Sequence, residues 1–141
     1  MAFNILIVDD SMSMRSVIKK IISLSGFKID EYYEAQNGKE ALNILSQKWV
    51  DVILSDINMP EMNGIEMLKE LKKDELYKQI PVIFVTTEGS QERMDEAREA
   101  GASGFLKKPF LPEELRALLC QIVGMDEEGK YISAPEEGMD F

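Results

Sequence analysis

Five short apolar runs alternate with five stretches of helical periodicity along this chain, and no other feature narrows the choice of fold as much. The runs are Phe3 to Val8, Ile29 to Ala35, Val52 to Ser55, Val82 to Val85, and Phe105 with Leu106. Each is too short for a helix and is bounded by turn residues, so each reads as a strand. Strands separated by helices pair in parallel, with helices over both faces, and right-handed crossovers restrict the topology further. The expected fold is α/β: a doubly wound, five-stranded parallel sheet with five helices.

The helix signals agree. Ser11 or Ser13 can cap a first helix that carries Met14, Val17, Ile18, Ile21 and Leu24 at helical spacing, and Gly26 ends it. Asn37-Gly38 turns the chain into a second helix with Ala41, Leu42 and Leu45 on its inner face. A third turns Ile65, Leu68 and Leu71 inward and Glu66, Lys69, Glu70 and Lys73 toward water. Ser90 caps a polar fourth helix that Gly101 stops, and a fifth runs from about Pro112, at its first position, to Val123. The second strand, with Tyr32 and Tyr33, is more polar than the rest and suits an edge.

Composition excludes several functions. With 26 acidic and 16 basic residues in 141, the net charge of −10 argues against nucleic acid as a partner. There is no histidine, and Cys120 is the single cysteine. No internal disulfide can form, zinc and copper lack their usual ligands, and any metal must be a hard, oxygen-bound one. The amino terminus lacks a basic n-region and no stretch is long enough to span a bilayer, so a cytoplasmic, non-membrane protein is expected. Residues Met125 to Phe141 hold six acids and one lysine, a net −5. The expected division is a folded domain over 1–124 and an acidic, solvated tail over 125–141, where Tyr131, Ile132 and Phe141 are scattered apolar points. Too few residues follow Val123 for a helix-turn-helix output domain.

If the strands are parallel, their carboxyl ends share one edge, where ligands bind in open α/β sheets. Four ends carry reactive types: Asp9 with Asp10, Asp56, Thr86 and Lys108. Singly, each has a bland reading. Asp10 could cap a helix, Thr86 could be an ordinary β-branched strand residue, and Lys108 could be solvated. Together they form a constellation. Two carboxylates about 4 Å apart repel by roughly 4 kcal/mol at an effective dielectric of 20, so three need a cation among them. Oxygens of Asp9, Asp10 and Asp56, with a backbone carbonyl near Asn58, suit Mg²⁺, and Lys108 adds positive charge. Such a site suits phosphoryl transfer, with Asp56 as nucleophile, Mg²⁺ on one phosphoryl oxygen, Lys108 on another, and the Thr86 hydroxyl or a backbone N–H on the third.

These residues also carry a family resemblance. Asp9-Asp10, Ser55-Asp56-Ile57-Asn58-Met59-Pro60 with Met62 and Gly64, Val85-Thr86, Gly101-Ala102 with Gly104-Phe105, and Lys108-Pro109-Phe110 resemble the response-regulator receiver family. The likeness covers residues 3 to about 123 and is strongest to the single-domain chemotaxis (CheY-like) type. It implies a flavodoxin-like sheet of order 2-1-3-4-5, an order known for the family itself. It further implies a two-component signalling switch in which Asp56 takes phosphate from a histidine kinase, with Mg²⁺ on Asp9, Asp10, Asp56 and Asn58. Thr86 and Lys108 would grip the phosphoryl group, and Lys108-Pro109 would be cis. Thr86 and Phe105 would then switch the surface of the fourth helix, fifth strand and fifth helix, where a flagellar motor switch or a phosphotransfer protein docks on the monomer. Asn58, Thr87 and Glu88 would tune dephosphorylation.

Two positions depart from the family pattern. Phe105 stands where a tyrosine is frequent, so the switch is expected to work by volume alone. Thr87 stands where a smaller residue is common, so slow loss of phosphate is expected. The resemblance implies no enzyme beyond self-phosphorylation and dephosphorylation. The competing readings are a phosphorelay intermediate and an aspartyl-phosphate phosphohydrolase. The latter is weakened because Asn58 occupies the place of its acid/base carboxylate. No Gly-Lys-Ser/Thr loop follows the first strand, which counts against a nucleotide switch.

Overall fold

The computed structural model of the chain describes residues 3–87 and 89–123; Glu88 and the acidic tail expected over 125–141 lie outside them. In chain order the elements are β1 (Phe3–Val8), α1 (Met12–Leu24), β2 (Ile29–Ala35), α2 (Gly38–Leu45), β3 (Val52–Ser55), α3 (Gly64–Lys72), β4 (Val82–Thr86), α4 (Gln91–Ala100), β5 (Gly104–Lys107) and α5 (Pro112–Val123). All strand pairs are parallel, in the order β2-β1-β3-β4-β5, so β2 and β5 are the edges. Among the described residues, no helix is long and apolar enough to cross a membrane.

Period-two alternation in the inner strands divides the core in two. Ile5, Ile7, Val52, Leu54, Ile83 and Val85 point to one face, where Ile18, Ile22, Leu115 and Leu119 of α1 and α5 cover them. Leu6, Val8, Ile53, Val82 and Phe84 point to the other, under α2, α3 and α4. Both faces are apolar, which is why these strands read as continuous hydrophobic runs.

The caps are local chemistry. Ser11, Asn37 and Ser90 each accept a backbone N–H of the following helix, and Gly101 ends α4 at φ 107°. At α3, Asn63 and Glu66 form a reciprocal capping box. The helical spacing in α1 needs correction, however. Ile18 and Ile22 are its buried pair, whereas Val17 is 49% and Leu24 65% exposed. At 100° per residue, Leu24 lies nearly opposite Ile22, so both cannot face the sheet. The outward surface of Val17 instead forms one wall of a groove whose other wall includes Pro109 and Phe110.

The loop from β3 to α3 is tightly turned. Met62 N–H donates to Pro60 O at 2.7 Å around Glu61, whose φ is 68°, a γ-turn of the uncommon positive-φ kind. Gly64 then passes under the loop, with its N–H on Ile57 O at 2.8 Å. A Cβ on Gly64 would lie 2.3 Å from Asp56 O and 2.6 Å from Phe84 Cε1. Gly64→Ala is therefore expected to cost about 1–3 kcal/mol by overpacking against the strand that carries Asp56. Urea denaturation checks this, and an unchanged midpoint would contradict the close approach.

Candidate functional site

Backbone pairing continues past the strand ends and locks the acids in place. Asp9 N–H donates to Ala35 O at 3.0 Å, and Asp56 N–H donates to Val8 O at 2.9 Å. The two carboxylates thus leave neighbouring strands at one edge. Lys108 N–H donates to Thr86 O at 3.0 Å, which carries β5 alongside β4 to the same edge. The Lys108-Pro109 peptide is cis.

The lysine ammonium joins two of the acids. Lys108 Nζ stands 3.0 Å from Asp9 Oδ2 and 3.4 Å from Asp56 Oδ2. The other oxygens accept backbone donors: Asp9 Oδ1 takes Ser11 N–H at 2.9 Å, and Asp56 Oδ1 takes Ile57 N–H at 2.7 Å. The side chain of Asp9 is 2% exposed, those of Lys108 and Asp56 12% and 14%. Charges this far from water need partners with good geometry, and each has them. Asp10 is exposed and completes the group. One carboxylate oxygen from each of Asp9, Asp10 and Asp56 lies within 4.8 Å of the others, an all-oxygen donor set that fits a hard divalent cation.

The remaining predicted residues divide into rim and relay. Thr86 is buried at the end of β4, directly beside the Lys108 backbone. Thr87 and Asn58 are exposed on the rim. Asn58 Oδ1 accepts a hydrogen bond from Arg93 Nη2 of α4 at 3.3 Å. Phe105 lies apart from the acids, half-buried on the α4 side. Its ring centroid is 6.1 Å from that of Phe84, and the Arg98 guanidinium sits 5.1 Å above it. A cation on the face of the ring adds an attraction that bulk does not supply.

Three contributors escaped the sequence reading. Arg93 and Arg98 are two. The third is Arg15, one turn into α1, whose Nη1 donates to Asp9 O at 2.5 Å while Nε pairs with Glu34 Oε1 at 2.8 Å. Lys19 holds the other Glu34 oxygen at 2.8 Å. The available signal was a basic residue every fourth position on a helix that faces an acidic strand.

The sequence matches the family model described as response regulator receiver domain over residues 5–120. It is similar to a chemotaxis protein CheY homolog of Campylobacter jejuni, 39% identical over 121 residues, covering 85% of this chain and 92% of that protein. Among solved structures it is similar to the chemotaxis response regulator CheY4 of Vibrio cholerae, with a TM-score of 0.74 and 37% identity over 86% of this chain and 99% of that one. A further likeness is to the receiver domain of a sensor histidine kinase of Pseudomonas aeruginosa, with a TM-score of 0.76 and 25% identity, covering 88% and 99% of the two chains. That protein was solved with a magnesium ion coordinated in its active-site cleft.

The Glu34 contacts carry a pH signature. Hydrogen bonds from Lys19 and then Arg15 hold the Glu34 carboxyl below its ordinary 4.5. A pKa lowered by folding gives stability that is fully present above the ordinary value and is lost as pH falls through the folded one. In urea titrations, wild type is expected to be more stable than Glu34→Gln at neutral pH, with the gap closing as pH drops below 4.5. A gap that stays constant through that range would mean the pairs contribute nothing through charge.

Proposed function

The chain belongs to the response regulator receiver family, and from that premise we propose that Asp56 accepts a phosphoryl group from a histidine kinase and so switches a protein-binding surface, most naturally in chemotaxis. The observation that carries this reading is the Asp9–Lys108–Asp56 bridge at the sheet edge, with Asp10 beside it. A carboxylate oxygen is available there as nucleophile next to a fixed ammonium.

Asp9, Asp10 and Asp56, with the main-chain carbonyl of Asn58, would hold Mg²⁺. Bound there, the ion supplies positive charge that offsets the crowded carboxylates and the incoming phosphoryl oxygens. Everything else is done by the chain. An Asp56 oxygen bonds to phosphorus as the phosphorus–nitrogen bond of a donor phosphohistidine, protonated on its other ring nitrogen, breaks, leaving an acyl phosphate and a neutral imidazole that keeps that proton. Lys108 trades its contact with the Asp56 carboxylate for a phosphoryl oxygen and keeps Asp9. Thr86 turns its hydroxyl to another oxygen, and the space it vacates admits the Phe105 ring. That movement alters the face made by α4, β5 and α5, where the kinase or an output protein binds. The population shifts because the phosphoryl group contacts one arrangement of Thr86 and not the other.

Incubation with acetyl phosphate tests this directly. Intact mass should show one added phosphate per wild-type chain with Mg²⁺ present, little without it, and none in Asp56→Asn. Asp9→Ala should raise the Mg²⁺ requirement. Multiple rapid turnover of a phosphomonoester would instead favour the hydrolase reading. Thr87 bears on the lifetime of the acyl phosphate. It is exposed and borders the same groove as Lys108. Thr87→Ala is expected to lose phosphate severalfold faster once the donor is removed, and equal rates would discard that role.

A further inference from the structure

Arg93 occupies the third position of α4, in the turn where the helix dipole disfavours a cation. Its charge is directed elsewhere. Nη2 crosses the mouth of the pocket to Asn58 Oδ1 at 3.3 Å, two residues beyond Asp56. Nη1 is braced by Glu96 Oε1 at 3.4 Å, and Glu96 Oε2 faces Lys69 of α3 at 3.6 Å. A string of charges therefore runs from α3 through α4 and reaches a neutral amide. Exposed ion pairs of this kind add little to stability, so the consequence of the string lies in its effect on Asn58.

An asparagine side chain offers one acceptor atom and an NH₂ donor. Hydrolysis of an acyl phosphate needs a water whose lone pair faces phosphorus. That orientation is favoured when a nearby acceptor takes one of the water's hydrogens. Oδ1 is the atom of Asn58 that could do so, and a charged donor already engages it and weakens it as an acceptor for anything else. We infer that Arg93 is a positioning residue that withholds Asn58 Oδ1 from the attacking water and thereby prolongs the phosphorylated state. The step it slows is balanced as follows: the water oxygen bonds to phosphorus, the bond from phosphorus to the Asp56 oxygen breaks, and a carboxylate and dihydrogen phosphate are left. The inference rests on the assignment of Asp56 as phosphoacceptor and adds a device on α4 that sets how long the signal lasts.

The test is a double-mutant cycle on the full chain. Wild type, Arg93→Ala, Arg93→Lys, Asn58→Ala and the Arg93→Ala/Asn58→Ala pair are loaded with acetyl phosphate and Mg²⁺. The donor is then removed and the phosphorylated fraction followed by intact mass. Arg93→Ala should decay roughly two- to tenfold faster, the factor expected for one hydrogen bond, with Arg93→Lys in between. In the Asn58→Ala background, Arg93→Ala should have no further effect, which a merely structural role would not produce. Decay that is unchanged or slower in Arg93→Ala, or acceleration that persists without Asn58, overturns the inference while the phosphoacceptor assignment stands. Wild type that takes up no phosphate overturns both.

Discussion

The Lys108 ammonium between Asp9 and Asp56 is the contact on which the arrangement of this molecule turns. Without it, a carboxylate only 2% exposed would sit charged and uncompensated, a situation that costs about 3–5 kcal/mol in other proteins. The bridge spans three strands that are far apart in sequence, β1, β3 and the end of β5, and it can exist because a parallel sheet brings all its carboxyl ends to one side. The backbone bonds of Asp9 to Ala35, Asp56 to Val8 and Lys108 to Thr86 extend the ladder past each strand and leave the charged groups little freedom. The Gly64 crossing beneath Asp56 O keeps the loop from lifting away. Fold and site are therefore one construction here: the same pairing that closes the sheet also compresses the acids.

Much of this was written in local chemistry. Strand limits were legible because β1, β3 and β4 are apolar on both faces and stop abruptly at polar residues. Helix limits were legible because Ser11, Asn37, Ser90 and Gly101 act on backbone groups a few residues away. The convergence of Asp9, Asp10, Asp56 and Lys108 followed once parallel pairing was granted, since strand ends then coincide. What could not be read was rotation and reach. Val17 and Leu24 share the helical spacing of α1 with Ile18 yet face outward, while Ile22, which that spacing did not single out, is buried with Leu115 and Leu119 of α5. Met67 joins the core of α3 unannounced for the same reason.

Long basic side chains were the other blind spot. Arg15 meets Asp9 O, Arg93 meets Asn58 and Arg98 lies over Phe105. Arg15 shares an i, i+4 spacing with Lys19, but its reach to Asp9 O and the partners of Arg93 and Arg98 are not marked by periodicity, because a flexible stem can carry its guanidinium several ångströms in any direction. Two of the three belong to α4, which buries Ala97 alone among its fully covered positions and is the most polar helix of the fold. Met94, Ala97 and Ala100 pack it on the core, and the Arg98 guanidinium lies over Phe105.

The two borders of the sheet are guarded differently. β2 turns Asp30 and Glu31 to water along its open side, and β5 is only four residues long, ending on Lys107. Neither offers an incoming strand a long uncharged template. Self-templated growth into fibrils is thereby discouraged at both margins.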